Sequence, residues 1–172
     1  MTTVAELLAD AFERARDTAA GAVEGLSEEQ LTARVDGDAN SIAWLVWHLA
    51  RVQDDHVADL AGAEQRWTAA GWSARFGLPF DDGAIGYGQS SDEVGQVRGV
   101  SADDLVGYLD DVHAATSAYV RDLDDDALDR IVDDAWDPPV TVAVRLVSVV
   151  NDDTQHAGQA AFVRGIVERT GG

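Results

Sequence analysis

From Thr3 onward the apolar positions Val4, Leu7, Leu8, Ala11, Phe12 and Ala15 recur at intervals of three and four residues, with charged side chains between them. That is the repeat of a helix that buries one stripe. Thr3 and Glu6 have capping-box spacing at its start, and the pattern fades between Gly21 and Gly25. A second box, Ser27 with Gln30, opens a short turn. Asn40-Ser41 then precedes the strongest pattern of the chain, Ile42, Leu45, Val46, Leu49, Val52, His56 and Leu60, which stops by Gly62. Ser101 with Asp104 caps another helical run through Leu105, Tyr108, Leu109, Val112, Thr116, Tyr119 and Leu123. The last helix is expected from about Thr141 to Arg169, with Val142, Leu146, Val149, Ala160, Val163 and Val167 on one face. No stretch alternates as a strand would. Four long amphipathic helices predict an all-α four-helix bundle, and no solenoid repeat is visible.

Between Gly62 and Ser101 the periodicity fails, and glycine, proline and aromatic residues replace it in GWSARFGLPFDDGAIGYGQSSDEV, Gly71 to Val94. A connection this long is uncommon inside a bundle. The density of Trp67, Trp72, Phe76, Phe80 and Tyr87 marks it as a packed lid rather than a disordered tether. GAIGYG has neither a preceding strand nor a following lysine, so it reads as a turn and not as a nucleotide loop.

The length of 172 residues fits one domain, 1–172. The net charge of −20, with twelve arginines scattered singly and no lysine, excludes the basic stripe that nucleic acids require. The acidic N-terminus lacks a basic n-region and no apolar run reaches the roughly 20 residues of a membrane span, so a cytoplasmic protein without nucleic-acid or membrane partners is expected. Cysteine is absent, which removes disulfides, thiolate ligands and a cysteine nucleophile together; thiol chemistry would need an external thiol.

Histidine is scarce: His48, His56, His113 and His156. Advancing 100° per residue puts His56 near the centre of the second long helix's stripe and His48 at its margin. On the last helix Asp152 and His156 stand one turn apart on the inward face, with Asp153 competing for Asp152 at i, i+3 spacing. A buried carboxylate beside a buried histidine calls for compensation, and a divalent cation supplies it, although the same spacing also serves a plain salt bridge. His48 from the neighbouring helix would complete a His, Asp, His set with a position left open, the pattern of a catalytic zinc site. The Glu-x-x-His pairs of a di-iron bundle are missing.

WHLARVQDDH at Trp47 to His56, GWSARFGLPF with GYG after it, and NDDTQHAGQAAFVRG at Asn151 to Gly165 together resemble the DinB-like superfamily. The resemblance is greatest to its actinobacterial branch of mycothiol S-transferases and the N-terminal domain of mycothiol-dependent maleylpyruvate isomerase. It implies a four-helix bundle, often a homodimer, that holds zinc or nickel through one histidine on the second helix and a His or Glu plus His at i, i+4 on the last. His48 and His156 match the first and last ligands. The middle ligand falls on Asp152, one methylene shorter than the glutamate found more often. The implied activity is transfer of a thiol, mycothiol, to a small electrophile, or a thiol-dependent isomerisation. The alternatives are a non-catalytic stress-response bundle binding a metal or small ligand, and a metal-dependent hydrolase. Gln53, Asp55, His56, Asp153 and Gln159 are the candidates for orienting the ligating imidazoles. Arg145 is the candidate for pairing with a substrate carboxylate, and Trp72, Phe76 and Tyr87 for the pocket wall.

Overall fold

The structure is a computed structural model that describes residues 2–170. In chain order its helices are α1 (Val4–Val23), α2 (Glu28–Thr32), α3 (Ile42–Ala61), α4 (Arg66–Ala69), α5 (Trp72–Phe76), α6 (Ser91–Val94), α7 (Ala102–Arg121) and α8 (Asp125–Leu128). A two-stranded antiparallel ribbon, β1 (Ile131–Asp133) with β2 (Val140–Thr141), precedes the final helix α9 (Val142–Thr170). The four long helices α1, α3, α7 and α9 form the expected all-α bundle. Each of α1 and α3 packs against both α7 and α9, so α1 and α3 stand on opposite corners.

Local chemistry sets the starts. Thr3/Glu6, Ser27/Gln30, Ser90/Glu93 and Ser101/Asp104 all form reciprocal capping boxes, and the Ser41 hydroxyl accepts from the Trp44 amide to open α3. Each cap contributes about 1 kcal/mol by giving an orphan amide a partner. At its far end α3 stops on Gly62 in the left-handed region at φ +62°, where a side chain would be strained.

Two features depart from the sequence expectation. The 62–101 connection is built of three short helices, and the 124–141 connection contains the ribbon. Strands of three and two residues are too short to show an alternating pattern. The core also divides. Phe12, Val57, Leu60, Val120, Val142, Leu146 and Val149 form a cluster at one end. The larger cluster gathers Trp44, Leu45, Trp47, Leu49, Trp67, Phe76, Leu105, Tyr108, Ala157 and Ala160 at the other. Between them lies a polar layer: His48, Arg51, Gln53 and Asp54 on α3, Thr116 and Ser117 on α7, and Asp152, Asp153 and His156 on α9. The chemistry of the chain sits in this layer.

Candidate metal centre

Residues Ser41 to Asp54 of α3 and its cap are buried without interruption, so the helix has no solvent face over its first three turns. This explains why a helical-wheel reading misjudges it. His48, expected at the margin, is buried, whereas His56, expected at the centre, is half-exposed.

His48 faces α9, and its Nε2 lies 4.0 Å from Oδ2 of Asp152; His156 Nε2 lies 3.5 Å from Oδ1 of the same carboxylate. The two imidazoles meet edge to face with centroids 4.9 Å apart. One donor atom from each of the three residues falls within 4.8 Å of the other two, the only such group of three among the described residues. Asp152 Oδ2 is buried and accepts no hydrogen bond. An orphaned carboxylate oxygen facing two imidazole nitrogens is costly as it stands. A divalent cation satisfies all three groups at once, so the donor set fits zinc or another borderline metal. The structure brings Asp152, not its competitor Asp153, to the pair of histidines.

The orientation of each ring follows from its other nitrogen. His48 Nδ1 meets the carbonyl of Ile85; a carbonyl only accepts, so Nδ1 carries the proton and Nε2 presents its lone pair toward Asp152. Trp44 lies flat on the other side of the ring, centroids 4.5 Å apart and planes 16° from parallel, and its Nε1 donates to Gln89 Oε1 at 2.7 Å. The loop comes close at Gly86. At φ +92° an added Cβ there would sit 2.5 Å from His48 Nδ1 and 3.2 Å from Trp44 Cζ2, so only glycine fits. His156 Nδ1 is 2.8 Å from Gln159 Oε1, so Gln159 lies within hydrogen-bond reach of that ring.

The electrostatics of the His48 and His156 rings differ. Burial pushes the His48 pKa down, against a smaller upward pull from the Ile85 carbonyl and Asp152. The hydrogen bond to Asp152 raises that of His156, against burial. Burial thus disfavours a second proton on His48, whereas a cation held here would compete with a proton at His156. Asp153 is buried with both oxygens unpartnered, and burial followed by the neighbouring Asp152 charge drives its carboxyl well above the usual range. Burial thus disfavours its charged form, and it makes no hydrogen bond to either imidazole.

Other candidates lie elsewhere. Gln53 Nε2 donates to Thr116 Oγ1 at 2.7 Å, tying α3 to α7. Asp55 accepts from Gln65 Nε2 at 2.7 Å. His56 Nδ1 is 3.1 Å from Arg145 NH1 and 3.6 Å from Asp55. Guanidinium donates only, and burial and then Arg145 depress this histidine's pKa, so His56 is neutral with its proton on Nε2. Arg145 also pairs with Asp133 at 3.7 Å and lines a polar recess with Asp55, Asp59 and Gln65; it is already engaged by the fold.

The aromatic candidates divide. Trp72 packs on α7 over Gly107 and donates from Nε1 to Asp111 at 2.9 Å, while Phe76 is buried against Trp67 and Tyr108. Neither makes a ring stack or hydrogen bond with His48, Asp152 or His156; both pack against α7 through Tyr108, where their apolar surface is hidden. Tyr87 is 92% exposed, at the rim of a shallow groove shared with Phe80, Ile85 and Gln89.

Two participants escape sequence reasoning. The Ile85 carbonyl is backbone and leaves no side-chain signature; its only trace is the glycine that follows. Trp44 is four residues before His48, so the stacking pair was present as an i, i+4 spacing.

Among the described residues no helix is long and apolar enough to cross a membrane. No curated protein matches the chain. Among solved structures, that of a conserved protein from Enterococcus faecalis superposes with a TM-score of 0.89 at 27% identity, covering 95% of this chain and 96% of that one. The sequence profile of the DinB superfamily matches residues 11–160. With the bundle, its interhelical His, Asp, His group and that match together, the chain belongs to the DinB superfamily.

Proposed function

We infer that the protein is a metal-dependent thiol S-transferase, or a thiol-dependent isomerase, acting on a small electrophile with mycothiol as the co-substrate and zinc or nickel as the ion. The observation that carries this reading is the meeting of His48, Asp152 and His156 around an orphaned carboxylate oxygen in a chain that has no cysteine. Three protein donors leave a coordination position for an exogenous ligand. A divalent ion in that place lowers the pKa of a bound thiol and so supplies a thiolate at neutral pH.

The rest is the work of the chain. His48 is held with its lone pair inward by Ile85, and His156 by Gln159. Asp152 would offset one positive charge of an ion held here. Trp44 shields one flank of His48 from water. The groove at Phe80, Ile85, Tyr87 and Gln89 is the place we assign to the electrophile.

The test has two parts. Elemental analysis of protein purified without chelator or metal-affinity tag is expected to find near-stoichiometric metal, lost in His48→Ala and His156→Ala; equal content in all three overturns the site. Mycothiol consumption with monobromobimane or chlorodinitrobenzene is then expected to exceed the spontaneous rate. A metal-loaded protein giving no acceleration with several thiols is a binding module instead.

A further inference from the structure

Arg51 lies one turn beyond His48 on α3 and is wholly buried. Its guanidinium is the most heavily used donor in the molecule. Nε donates to the carbonyl of Ala84 at 3.1 Å and NH2 to the carbonyl of Asp82 at 2.9 Å. NH1 donates to Gln65 Oε1 at 2.8 Å and to the Tyr108 hydroxyl at 3.2 Å. The cation also lies over the Trp67 ring, 4.9 Å from its centroid. Asp54 Oδ2 is 3.6 Å away, yet that carboxylate is spent on other donors: the Arg66 and Trp67 amides at 2.8 Å each and the Tyr108 hydroxyl at 2.8 Å.

Burying a guanidinium for stability alone is poor design, because apolar side chains of like volume generally do as well or better. What an arginine does that they cannot is hold several acceptors in a fixed fork. Here two of those acceptors are backbone carbonyls of one short segment, 82 and 84, and the next carbonyl along, Ile85, is the one that meets His48 Nδ1. Beyond this, the segment's anchors are a side-chain bond from Ser73 to Asp82, an Asp81 turn at Gly83 and the Gln89 contact with Trp44. The Gln89 bond and the packing of Phe80 on Trp47 tie the flanks of the segment to α3, but only Arg51 holds the carbonyls immediately before Ile85. Arg51 and His48 thus grip the same strip of backbone from adjacent turns of a single helix.

We propose that Arg51 is a positioning residue of the metal centre: by clamping the carbonyls of Asp82 and Ala84 it fixes the segment so that the Ile85 carbonyl locks His48 with Nδ1 protonated and Nε2 free for the ion. This rests on reading His48, Asp152 and His156 as ligands, and it extends that reading to the loop: a substrate contact that shifts residues 82–87 acts on His48 directly.

The experiment compares wild type, Arg51→Met, Arg51→Lys and Leu105→Ala, the last a buried α7 residue that makes no hydrogen bond to residues 82–85 and serves as a destabilised control. Two readouts are taken on folded protein: the nitrogen-15 shifts of His48 in metal-free protein, which report its tautomer, and zinc affinity by competition with a chromophoric chelator. Wild type is expected to show protonated Nδ1. Arg51→Met is expected to show a tautomer mixture and zinc bound 10- to 100-fold more weakly, the usual effect of losing a group that orients a ligating imidazole. Arg51→Lys, whose ammonium lacks the fork, falls between, and Leu105→Ala matches wild type in both. An unchanged His48 tautomer with affinity within twofold of wild type overturns the proposal; if Arg51→Met does not fold, the same result in Arg51→Lys overturns it. A wild type that binds no zinc or nickel sinks the metal reading, while the tautomer comparison still decides the part played by Arg51.

Discussion

Gly86→Ala isolates the loop's approach to His48 with the smallest possible change. Two penalties combine. The backbone at φ +92° lies outside the region that L-residues adopt readily, which costs about 1–2 kcal/mol. The new Cβ would also stand 2.5 Å from His48 Nδ1, nearly an ångström inside ordinary contact, with Trp44 Cζ2 only 3.2 Å away on the other side. The stack on Trp44 leaves the imidazole no room to slide, so either the loop lifts or the ring turns, and both break the bond to the Ile85 carbonyl. Loss of such a partner lowers metal affinity by about 10- to 100-fold, or roughly 1.4–2.8 kcal/mol. Gly62→Ala is the control, since it has positive φ at +62° and nothing within 4 Å of the added carbon. Chelator competition is expected to show weaker zinc binding in Gly86→Ala alone, while urea unfolding shows both variants destabilised by at least about 1 kcal/mol. Equal zinc affinity in wild type and Gly86→Ala would refute the claim that this backbone contact orients the ligand.

Metal removal should lower the unfolding free energy by the linkage amount, about 2.7 kcal/mol when the free ion had been at a hundred times its dissociation constant; a midpoint that ignores EDTA speaks against a folded-state site. Asp153, whose folded pKa is raised by burial, binds a proton in the native state at pH values where the unfolded chain has released it, so metal-free stability falls as pH rises above the ordinary carboxylate range toward the folded value. In Asp153→Asn that slope is expected to flatten, with the largest gain over wild type near neutral pH and convergence by about pH 4; parallel urea midpoints across pH would exclude a neutral Asp153. Gln53→Leu strands the buried Thr116 hydroxyl and should cost about 1–3 kcal/mol, most of it recovered in the double variant with Thr116→Val. Zinc affinity should stay at the wild-type value throughout, because this pair spans α3 and α7 and not α3 and α9.

What the sequence discloses is whatever repeats locally. The helices and their capping boxes are periodic, and Asp152 with His156 is a one-turn spacing on a single helix, so both are visible in a linear text. His48 required knowing which helix neighbours α9, and here a resemblance across Trp47 to His56 and Asn151 to Gly165 did what periodicity could not. The differences arise where burial and long-range packing, not local repeat, decide a side chain's place. A helical wheel assumes one wet face, and α3 has none from Ser41 to Asp54, so a wheel turns His56 inward and leaves His48 at the margin. Trp72 and Phe76 were read as pocket wall because aromatic residues in a glycine-rich loop resemble one; their partner is α7, a long-range packing choice with no local trace.

Arg51 was passed over although its signal was present: a lone cation between Ala50 and Val52 in the most apolar helix of the chain cannot be left unpaired. Its neighbours complete a pattern. Along α3 the buried polar residues each reach a different element: His48 toward α9, Arg51 to the 82–84 backbone, Gln53 to α7, Asp54 to the first amides of α4. Apolar stripes alone tolerate a helix sliding past its neighbour or settling in another register, since one methyl packs much like the next. Four polar groups with partners on α4, α7, α9 and the 82–84 backbone do not, because any slide leaves several unsatisfied at once. The register of α3, and with it the place of His48, is therefore held redundantly by the polar layer between the two apolar clusters, so the loss of one tie does not shift it. For the same reason, cutting a tie within that layer should register at the metal only when the tie leads to the loop or to α9.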